Sequence, residues 1–193
     1  MKKTKTSDRE QNPGKIVLST HRVSYVHLDK PQAFDDGGEA KYSVTFLIPK
    51  KHPDVERVKG LINDIYKANK ESVFNKVSLT SPNFHNPLRD GDEYLDEHPD
   101  NLECRGCYFV KAASKSQPAV YGSDKQEILD LDEVYSGCYC RGVIVGWPFN
   151  NKAKGISFFL NSVMFIKDGE RLGGFESDPD DYDESDETDD DLL

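Results

Sequence analysis

The sequence predicts a mainly β protein in which a small closed antiparallel barrel carries one long helix and precedes an acidic tail. Most segments with regular apolar spacing alternate at every second residue or are rich in β-branched side chains, which is typical of strands. Only one segment has apolar residues at helical spacing, and no βαβ rhythm is present. Apolar residues make up 36% and charged residues 31% of the 193 positions, so part of the chain is expected outside the core.

Three regions of the chain differ in charge and composition. Residues 1–14 are predicted to form a flexible basic arm, residues 15–175 one folded domain, and residues 176–193 a disordered acidic tail. The tail contains eleven carboxylates and no Lys or Arg, whereas the whole chain has 35 acidic residues, 25 basic residues and a formal charge of −10. The remaining 24 acidic and 25 basic residues nearly balance, so the folded domain can carry a local basic face.

The sequence shows no signal for a membrane or for export. No run approaches the roughly 18 apolar residues that cross a bilayer, and the first lysines are not followed by an apolar segment. The four cysteines are few and closely paired, unlike the spread framework of a small secreted domain. We therefore expect a cytoplasmic protein without a membrane partner.

The first half of the domain is predicted as two strand regions and the helix. Residues 16–28 are rich in β-branched side chains, and residues 41–48 alternate in apolar character. A turn-rich loop joins these two regions. Asp54 is predicted to cap a helix that runs to about Phe74 and packs one apolar stripe on the barrel.

The second half is predicted as a long loop followed by four strands. Residues 78–103 have little periodicity and much Pro, Asn and Asp, which is typical of a long functional or mobile loop. The strands are predicted at residues 104–113, 118–121, 134–147 and 156–167. Five or six strands with a single helix favour a small closed barrel.

The two faces of the predicted strand 134–147 differ in chemistry. A core face is predicted for Val134, Cys138, Cys140 and Ile144, and an outer face for Tyr135, Tyr139, Arg141 and Trp147. Aromatic rings with a cation suit single-stranded DNA, because bases stack on flat rings at about 1–3 kcal/mol each and phosphates attract basic residues. The alternative is that these rings fill a second layer of the barrel and that Arg141 forms a structural ion pair. This strand alone favours neither.

Other basic and aromatic residues cluster near predicted strand ends and loops, where a barrel keeps its binding groove. They favour the DNA-binding hypothesis. These further candidates are Lys50, Arg105, Phe109, Lys111, Lys115, Lys152 and Lys154.

The cysteines offer a competing hypothesis, a zinc site. Cys104 and Cys107 have the two-residue gap of a zinc knuckle, and Cys138 and Cys140 could complete four thiolates. The second pair has only one residue between its thiols, and in a strand both would point into the core, where free cysteine is an ordinary apolar residue. We therefore expect no metal, with zinc as the alternative.

A metal-dependent nuclease is the second competing hypothesis. It rests on a carboxylate cluster in one irregular segment, namely Asp90, Asp92, Glu93, Asp96 and Glu97. The five histidines are scattered, and neither a phosphate-binding glycine loop nor a nucleophile elbow is present in the sequence. We therefore expect no enzyme and no cofactor.

Several segments in their order along the chain resemble one known family. Residues 41–50, 86–93, 133–149 and 154–174, followed by the acidic tail, are similar to the bacteriophage single-stranded DNA-binding proteins of OB fold. The resemblance implies a five-stranded OB barrel that coats single strands in phage replication, recombination and repair, without sequence preference and without catalysis.

The resemblance also implies roles for individual residues. Tyr139, Arg141 and Lys111 would line the groove, whereas Asn161 and the turn Asp90-Gly91-Asp92 would be structural. Cys107 and Cys140 depart from the pattern and keep the zinc question open. The chain ends in Leu192-Leu193 rather than an aromatic residue, which leaves the docking partner of the tail in doubt.

The tail is expected to compete with DNA for the basic groove and to recruit replication proteins such as a polymerase, primase or helicase. The expected docking strip is Asp189, Asp190, Asp191, Leu192 and Leu193. The alternatives are a tail that only keeps the protein soluble and a DNA mimic that acts through its acidic residues. Open strand edges would also allow a homodimer.

Overall fold

A computed structural model describes residues 14–33 and 38–173, and this part of the chain is mainly β, as the sequence predicts. The strands in it are β1 Lys15–Val17, β2 His21–Gln32, β3 Lys41–Pro49, β4 Phe84–His85, β5 Leu88–Asp90, β6 Cys107–Ser114, β7 Ala119–Tyr121, β8 Tyr139–Asn150 and β9 Lys154–Lys167. The helices are α1 Pro53–Asn69 and α2 Gly91–Glu97, with 3₁₀ turns at Leu102–Cys104 and Leu131–Glu133. No described helix is long and apolar enough to span a membrane.

Five strands pair around a closed ring in the order β2, β3, β6, β9, β8 and back to β2. This is the small barrel that the sequence predicts. One pair departs from the predicted antiparallel arrangement, because β6 and β9 run parallel. The short strands extend the ring: β1 lies beside β8, β5 beside β6, and β4 and β7 beside β9.

Helix α1 covers the barrel with the predicted apolar stripe but begins and ends differently. The N-cap is His52, whose Nδ1 accepts a hydrogen bond from the backbone N–H of Asp54, so the prediction that Asp54 caps the helix is wrong. The helix ends at Asn69 rather than near Phe74. Phe74 instead leaves the helix and packs its fully buried ring between those of Tyr66 and Phe84.

Other predicted boundaries were wrong because local backbone geometry interrupts the pattern. The region predicted as one strand over 16–28 contains the two strands β1 and β2, and the predicted loop 78–103 contains β4, β5 and α2. The predicted strand 134–147 begins only at Tyr139. Gly137, just before it, has a φ of 113°, and a Cβ there would lie 2.0 Å from the carbonyl oxygen of Glu170.

The interior of the barrel is a continuous apolar cluster that includes Phe46, Ile144 and Leu160, each fully buried. Gly142 lies on the inward face of β8, where a Cβ would approach the Phe46 ring within 2.3 Å. A second, smaller cluster forms outside the barrel around Leu47, Cys104 and Phe109, and Tyr94, Cys107 and Leu172 pack against it. This second cluster supports the surface described below.

The basic arm and the acidic tail fall outside the described residues, apart from Gly14 at the end of the arm. Their predicted flexibility and disorder therefore stay predictions.

Candidate functional site

The outer faces of β2, β3 and β6 form the floor of a cavity of about 370 Å³. The pairing register places Thr45 opposite Lys111 and Leu47 opposite Phe109, so residues far apart in sequence meet on one face. The lining, which we call the central cavity, is Tyr25, His27, Gln32, Ala33, Thr45, Arg89, Tyr94, Cys104, Phe109 and Lys111. Two of these, Phe109 and Lys111, are candidates from the sequence.

Arg89 and Tyr94 form one wall of the central cavity over Phe109. The guanidinium carbon of Arg89 lies 5.0 Å from the Tyr94 ring centroid and 5.4 Å from that of Phe109, and the two rings meet edge to face at 5.1 Å. Strand β5 positions Arg89 by pairing it with Phe109. Helix α2 positions Tyr94, and the Asp90 side chain caps that helix by accepting from the Asp92 backbone N–H.

Two further cavities adjoin the central one through shared residues. The Tyr135 cavity, of about 520 Å³, shares His27 and includes Tyr135 and Arg171. The Lys152 cavity, of about 830 Å³, shares Arg89 and Tyr94 and includes His85 and Lys152. We call this series of three cavities the trough. Its lining combines rings and cations with carboxylates, which lie in the two outer cavities and not in the central one.

Positive charge concentrates in the middle of the trough. Burial, with a further contribution from the Lys111 ammonium, holds the pKa of His27 below its usual value. Burial and the nearby Lys41 charge lower the pKa of Lys111 in the same way. A polyanion lying here would relieve this repulsion, which makes the trough suited to a negatively charged chain.

The outer face of β8 holds three of the predicted residues away from the trough. Arg141 and Trp147 point outward, and the Trp147 side chain is 66% exposed, while Cys138, Cys140 and Ile144 are buried as predicted. The alternative that these rings form a second barrel layer therefore does not hold for Trp147. Tyr139 is half-buried, with the Lys167 ammonium 4.6 Å above its ring centroid.

Tyr135 lies in the turn before β8 rather than on the strand. Its hydroxyl donates to the Asp168 carboxylate at 2.9 Å and lies 2.9 Å from the Gly169 carbonyl oxygen. The Arg171 guanidinium stacks 4.0 Å from its ring centroid. Arg171 is thus a cation of the trough that the sequence analysis did not single out.

The remaining basic candidates have different surroundings. Lys50 is held between Asp90 and Asp92, at 2.6 and 2.8 Å, and these carboxylates raise its pKa. Lys115 is paired with Glu39. Arg105 is exposed in the turn before β6, and Lys154 starts β9 opposite Asn150. Carboxylates therefore partly neutralise the charges of Lys50 and Lys115. Of the lysines Lys50, Lys115, Lys152 and Lys154, Lys152 is the one that lines the trough, so it is placed best for an anionic ligand.

Two carboxylates of the nuclease hypothesis, Asp90 and Asp92, serve the fold. Asp90 caps α2 and binds Lys50, and Asp92 binds Lys50 and accepts from the Gly106 backbone N–H at 2.8 Å. Gly91 lies where a Cβ would be 2.0 Å from the Cys104 carbonyl oxygen. The turn Asp90-Gly91-Asp92 is therefore structural, as the resemblance implies.

The four cysteines do not gather into one site. Cys138 and Cys140 belong to the barrel interior, with their Sγ atoms 3.5 Å apart, whereas Cys104 and Cys107 lie in the outer cluster. The zinc hypothesis therefore lacks a four-thiolate geometry. That the protein contains no zinc stays a prediction.

Two of the histidines that look scattered in the sequence meet in space. Among the described residues, the one group of three close metal-ligating side chains is His21, His52 and Asp54. Asp54 already accepts hydrogen bonds from the Ser19 backbone N–H at 2.7 Å, from His21 Nε2 at 2.8 Å and from Arg57. Because the Arg57 cation and these donors satisfy the carboxylate, we interpret the group as a structural network rather than a metal site.

Comparisons with known proteins agree with this geometry. Residues 14–193 match the model of a family described as the Enterobacter phage Enc34 ssDNA-binding protein. The chain belongs to this family. Its description names a binding protein and no reaction, in agreement with the expectation that the chain is not an enzyme.

Individual proteins that resemble this chain in sequence or in structure are also phage proteins, and two of them are single-stranded DNA-binding proteins. The single-stranded DNA-binding protein from bacteriophage Enc34, solved in complex with ssDNA, is 34% identical, with a TM-score of 0.69 over 83% of this chain and 90% of that chain. Protein p50 of Acyrthosiphon pisum secondary endosymbiont phage 1 is 32% identical over 169 residues, 83% of this chain and 87% of its own. The gp2.5 single-stranded DNA-binding protein of bacteriophage T7, 16% identical over 93% of this chain and 97% of its own with a TM-score of 0.60, shares the fold.

Besides Arg171, the trough residues that sequence reasoning did not find include Tyr25, His27, Arg89 and Tyr94. Arg89 and Tyr94 lie in the segment 78–103 that its composition predicts as a long functional or mobile loop. That prediction was the one signal in the sequence that could have pointed to them. Tyr25 and His27 lie in a predicted strand, where periodicity alone does not tell which outer side chains meet a neighbouring strand.

Proposed function

We propose that this chain coats single-stranded DNA without sequence preference and acts in the replication, recombination and repair of a bacteriophage genome. The observation that carries the proposal is the trough, in which rings and cations from β2, β5, β6 and α2 line adjoining cavities. The Enc34 relative, whose structure was solved with ssDNA, supports the same ligand class.

The chemistry of the trough fits a single strand better than a duplex. Tyr25, Tyr94 and Tyr135 offer ring faces or edges to unstacked bases, and Arg89, Lys111 and Lys152 offer charge to phosphates. Base stacking is worth about 1–3 kcal/mol per base and tolerates any sequence, because every base has a flat face. The bases of a duplex are already stacked on each other and cannot use these rings.

The tail is proposed to regulate access to the trough and to recruit replication proteins through Asp189, Asp190, Asp191, Leu192 and Leu193. The place where the described chain ends supports this. The backbone N–H of Leu172 donates to the Ser136 carbonyl oxygen at 2.8 Å, and Arg171 lines the Tyr135 cavity. The last described residues therefore lie beside the Tyr135 cavity, at one end of the trough. Action in the host cytoplasm and self-association into a homodimer belong to the same proposal.

A titration tests the proposed ligand. The full-length protein should bind a fluorescent dT strand more tightly than a duplex of equal length, and raising the salt should weaken the binding steeply, because bound lysines and arginines release counterions. Fluorescence anisotropy at two salt concentrations measures both effects. Equal affinity for the two forms of DNA would contradict the proposal.

The outer face of β8 lies outside the trough, and we propose that a bound single strand continues across it, which gives a second prediction. Trp147→Ala or Tyr139→Ala should weaken binding of the single strand by about 1–3 kcal/mol while the fold persists, because a stacking ring is removed from outside the core. Arg141→Ala should reduce the salt slope by about one charge. The matched control is Leu129→Ala, since Leu129 is 89% exposed and lies outside both the trough and the outer face of β8. Loss of folding with unchanged binding per folded molecule would mean that these rings are structural.

A further inference from the structure

The backbone of Tyr25 adopts a conformation that bulky residues avoid. Its φ is 48°, in the left-handed region, although the residue lies inside strand β2. The other described non-glycine residues with positive φ, Asn75, Lys76 and Lys125, lie in turns or bends. For an aromatic side chain such a conformation is a genuine outlier and costs conformational energy.

A β-bulge imposes this conformation on Tyr25. Ser24 pairs with Thr45 and His27 pairs with Ser43, so three steps along β2 oppose two steps along β3. The extra residue changes the direction in which the following side chains point. The bulge thus lets both Tyr25 and His27 line the central cavity.

The Tyr25 ring adds little packing energy to the fold that could offset this strain. The side chain is 45% exposed, among the most exposed large apolar or aromatic residues of the described chain, so it contributes little burial. Its hydroxyl donates to Asn101 Oδ1 at 2.7 Å, which fixes the ring in place. Strain that is not repaid by packing is commonly found where a side chain is presented to a ligand.

A second flat group lines the same cavity. The Arg89 guanidinium rests against the rings of Tyr94 and Phe109, and no carboxylate within the described residues forms an ion pair with it. Guanidinium planes and aromatic rings both stack on nucleobases, and a guanidinium already held against rings loses little freedom on binding.

We propose that Tyr25 and the ring-supported guanidinium of Arg89 form a preformed stacking slot for one nucleobase of a bound single strand. The cavity volume of about 370 Å³ is at the small end of the range of ligand pockets, which suits one base rather than several. Arg89 also lines the adjoining Lys152 cavity, so a base in the slot lies on the path of the strand through the trough. This inference rests on the proposed function and names one position within that site.

Binding to two strands of equal charge tests the slot. Affinities of the full-length protein and of Tyr25→Gly are measured for a dT strand and for an abasic strand of the same length. The glycine variant should lose about 5- to 150-fold in affinity for dT, the range expected for one stacked base, and much less for the abasic strand. Its thermal midpoint should stay near that of the unchanged protein, because glycine adopts positive φ without strain.

A conservative variant and a crosslink complete the test. Tyr25→Phe keeps the ring and should retain most of the affinity for dT, although it loses the hydrogen bond to Asn101. With the unchanged protein, 5-iodouracil strands should crosslink to Tyr25 on irradiation, which covers the case in which the glycine variant does not fold. Absence of the crosslink, an unchanged dT affinity in Tyr25→Gly, or an equal loss for both strands would overturn the slot.

The failure of the slot and the failure of the proposed function give different results. If Lys111→Ala loses affinity for both strands while Tyr25→Gly binds normally, the trough binds DNA but the slot is wrong. If the unchanged protein does not distinguish dT from a duplex, the proposed function itself is wrong.

Discussion

Asp54→Ala should lower the free energy of unfolding by about 3–5 kcal/mol, the largest effect that we expect from a single substitution in the barrel. The Asp54 side chain is 1% exposed and joins the start of α1 to the segment between β1 and β2. Its loss leaves the Ser19 N–H and the buried His21 Nε2 without an acceptor, and each unsatisfied buried group costs about 1–3 kcal/mol. The Arg57 cation also loses its partner. Chemical denaturation measures the change.

Two variants separate the network from general effects of substitution in α1. Asp54→Asn keeps an acceptor oxygen but removes the charge, and should fall between the unchanged protein and the alanine variant. Asp64→Ala alters an exposed carboxylate of the same helix and should shift stability by no more than about 0.5 kcal/mol. Equal effects at positions 54 and 64 would contradict a structural role for the network.

The same network makes the barrel sensitive to acid. Burial alone would raise the pKa of Asp54, but the hydrogen bonds from His21, Ser19 and Arg57 outweigh it and lower the pKa to about 2. Burial lowers the pKa of His21 below 6.5. Both groups bind protons more readily when unfolded, so stability should fall as the pH drops below about 6.5, and again from about 4 towards 2. The second loss should be smaller in Asp54→Asn, in which Asp90 and Asp92, whose pKa values are also lowered, still titrate.

Local sequence patterns were sufficient for most of the fold. Alternation over 41–48 predicts β3, and the apolar stripe from Val55 to Ile65 predicts α1, because both patterns depend on neighbours in sequence. Boundaries failed where a distant contact decides them. Strand β8 starts late because Gly137 packs against Glu170, and α1 ends early because Phe74 turns towards Phe84.

The candidate site was less predictable because it depends on register. Phe109 and Lys111 were found as exposed-face candidates, but their neighbours Thr45 and Leu47 are known only once β3 and β6 are paired. Tyr25 was missed because its direction comes from a bulge, whose position is known only from the pairing of β2 with β3. The His21–Asp54 contact joins residues 33 positions apart and is equally invisible in the sequence.

The family match and the last described residues both bear on the proposed role of the acidic tail. The family match extends through residue 193, so the acidic segment lies within the matched region rather than beyond it. The last described residues anchor the chain beside the Tyr135 cavity. This placement supports the proposal that the acidic segment competes with DNA for the cations of the trough.

Deletion of residues 176–193 should raise the affinity for single-stranded DNA by about tenfold at low salt, because it removes a tethered competitor whose effective concentration reaches the millimolar range. Eleven carboxylates leave with the segment. The gain should shrink towards physiological salt, where the screening length falls from about 30 Å to about 8 Å. The same deletion should abolish recruitment of replication proteins, since it removes the acidic run and the apolar anchor of Leu192-Leu193. Strand titrations and pull-downs from infected-cell lysate measure the two effects on the same pair of proteins.

A matched variant that replaces the eleven carboxylates with their amides and keeps Leu192-Leu193 separates the effect of charge from the effect of length. It should reproduce the gain in DNA affinity. If truncation instead weakens DNA binding, or leaves both DNA and partner binding unchanged, the tail does not regulate the trough, and the DNA-binding role of the barrel stands without it.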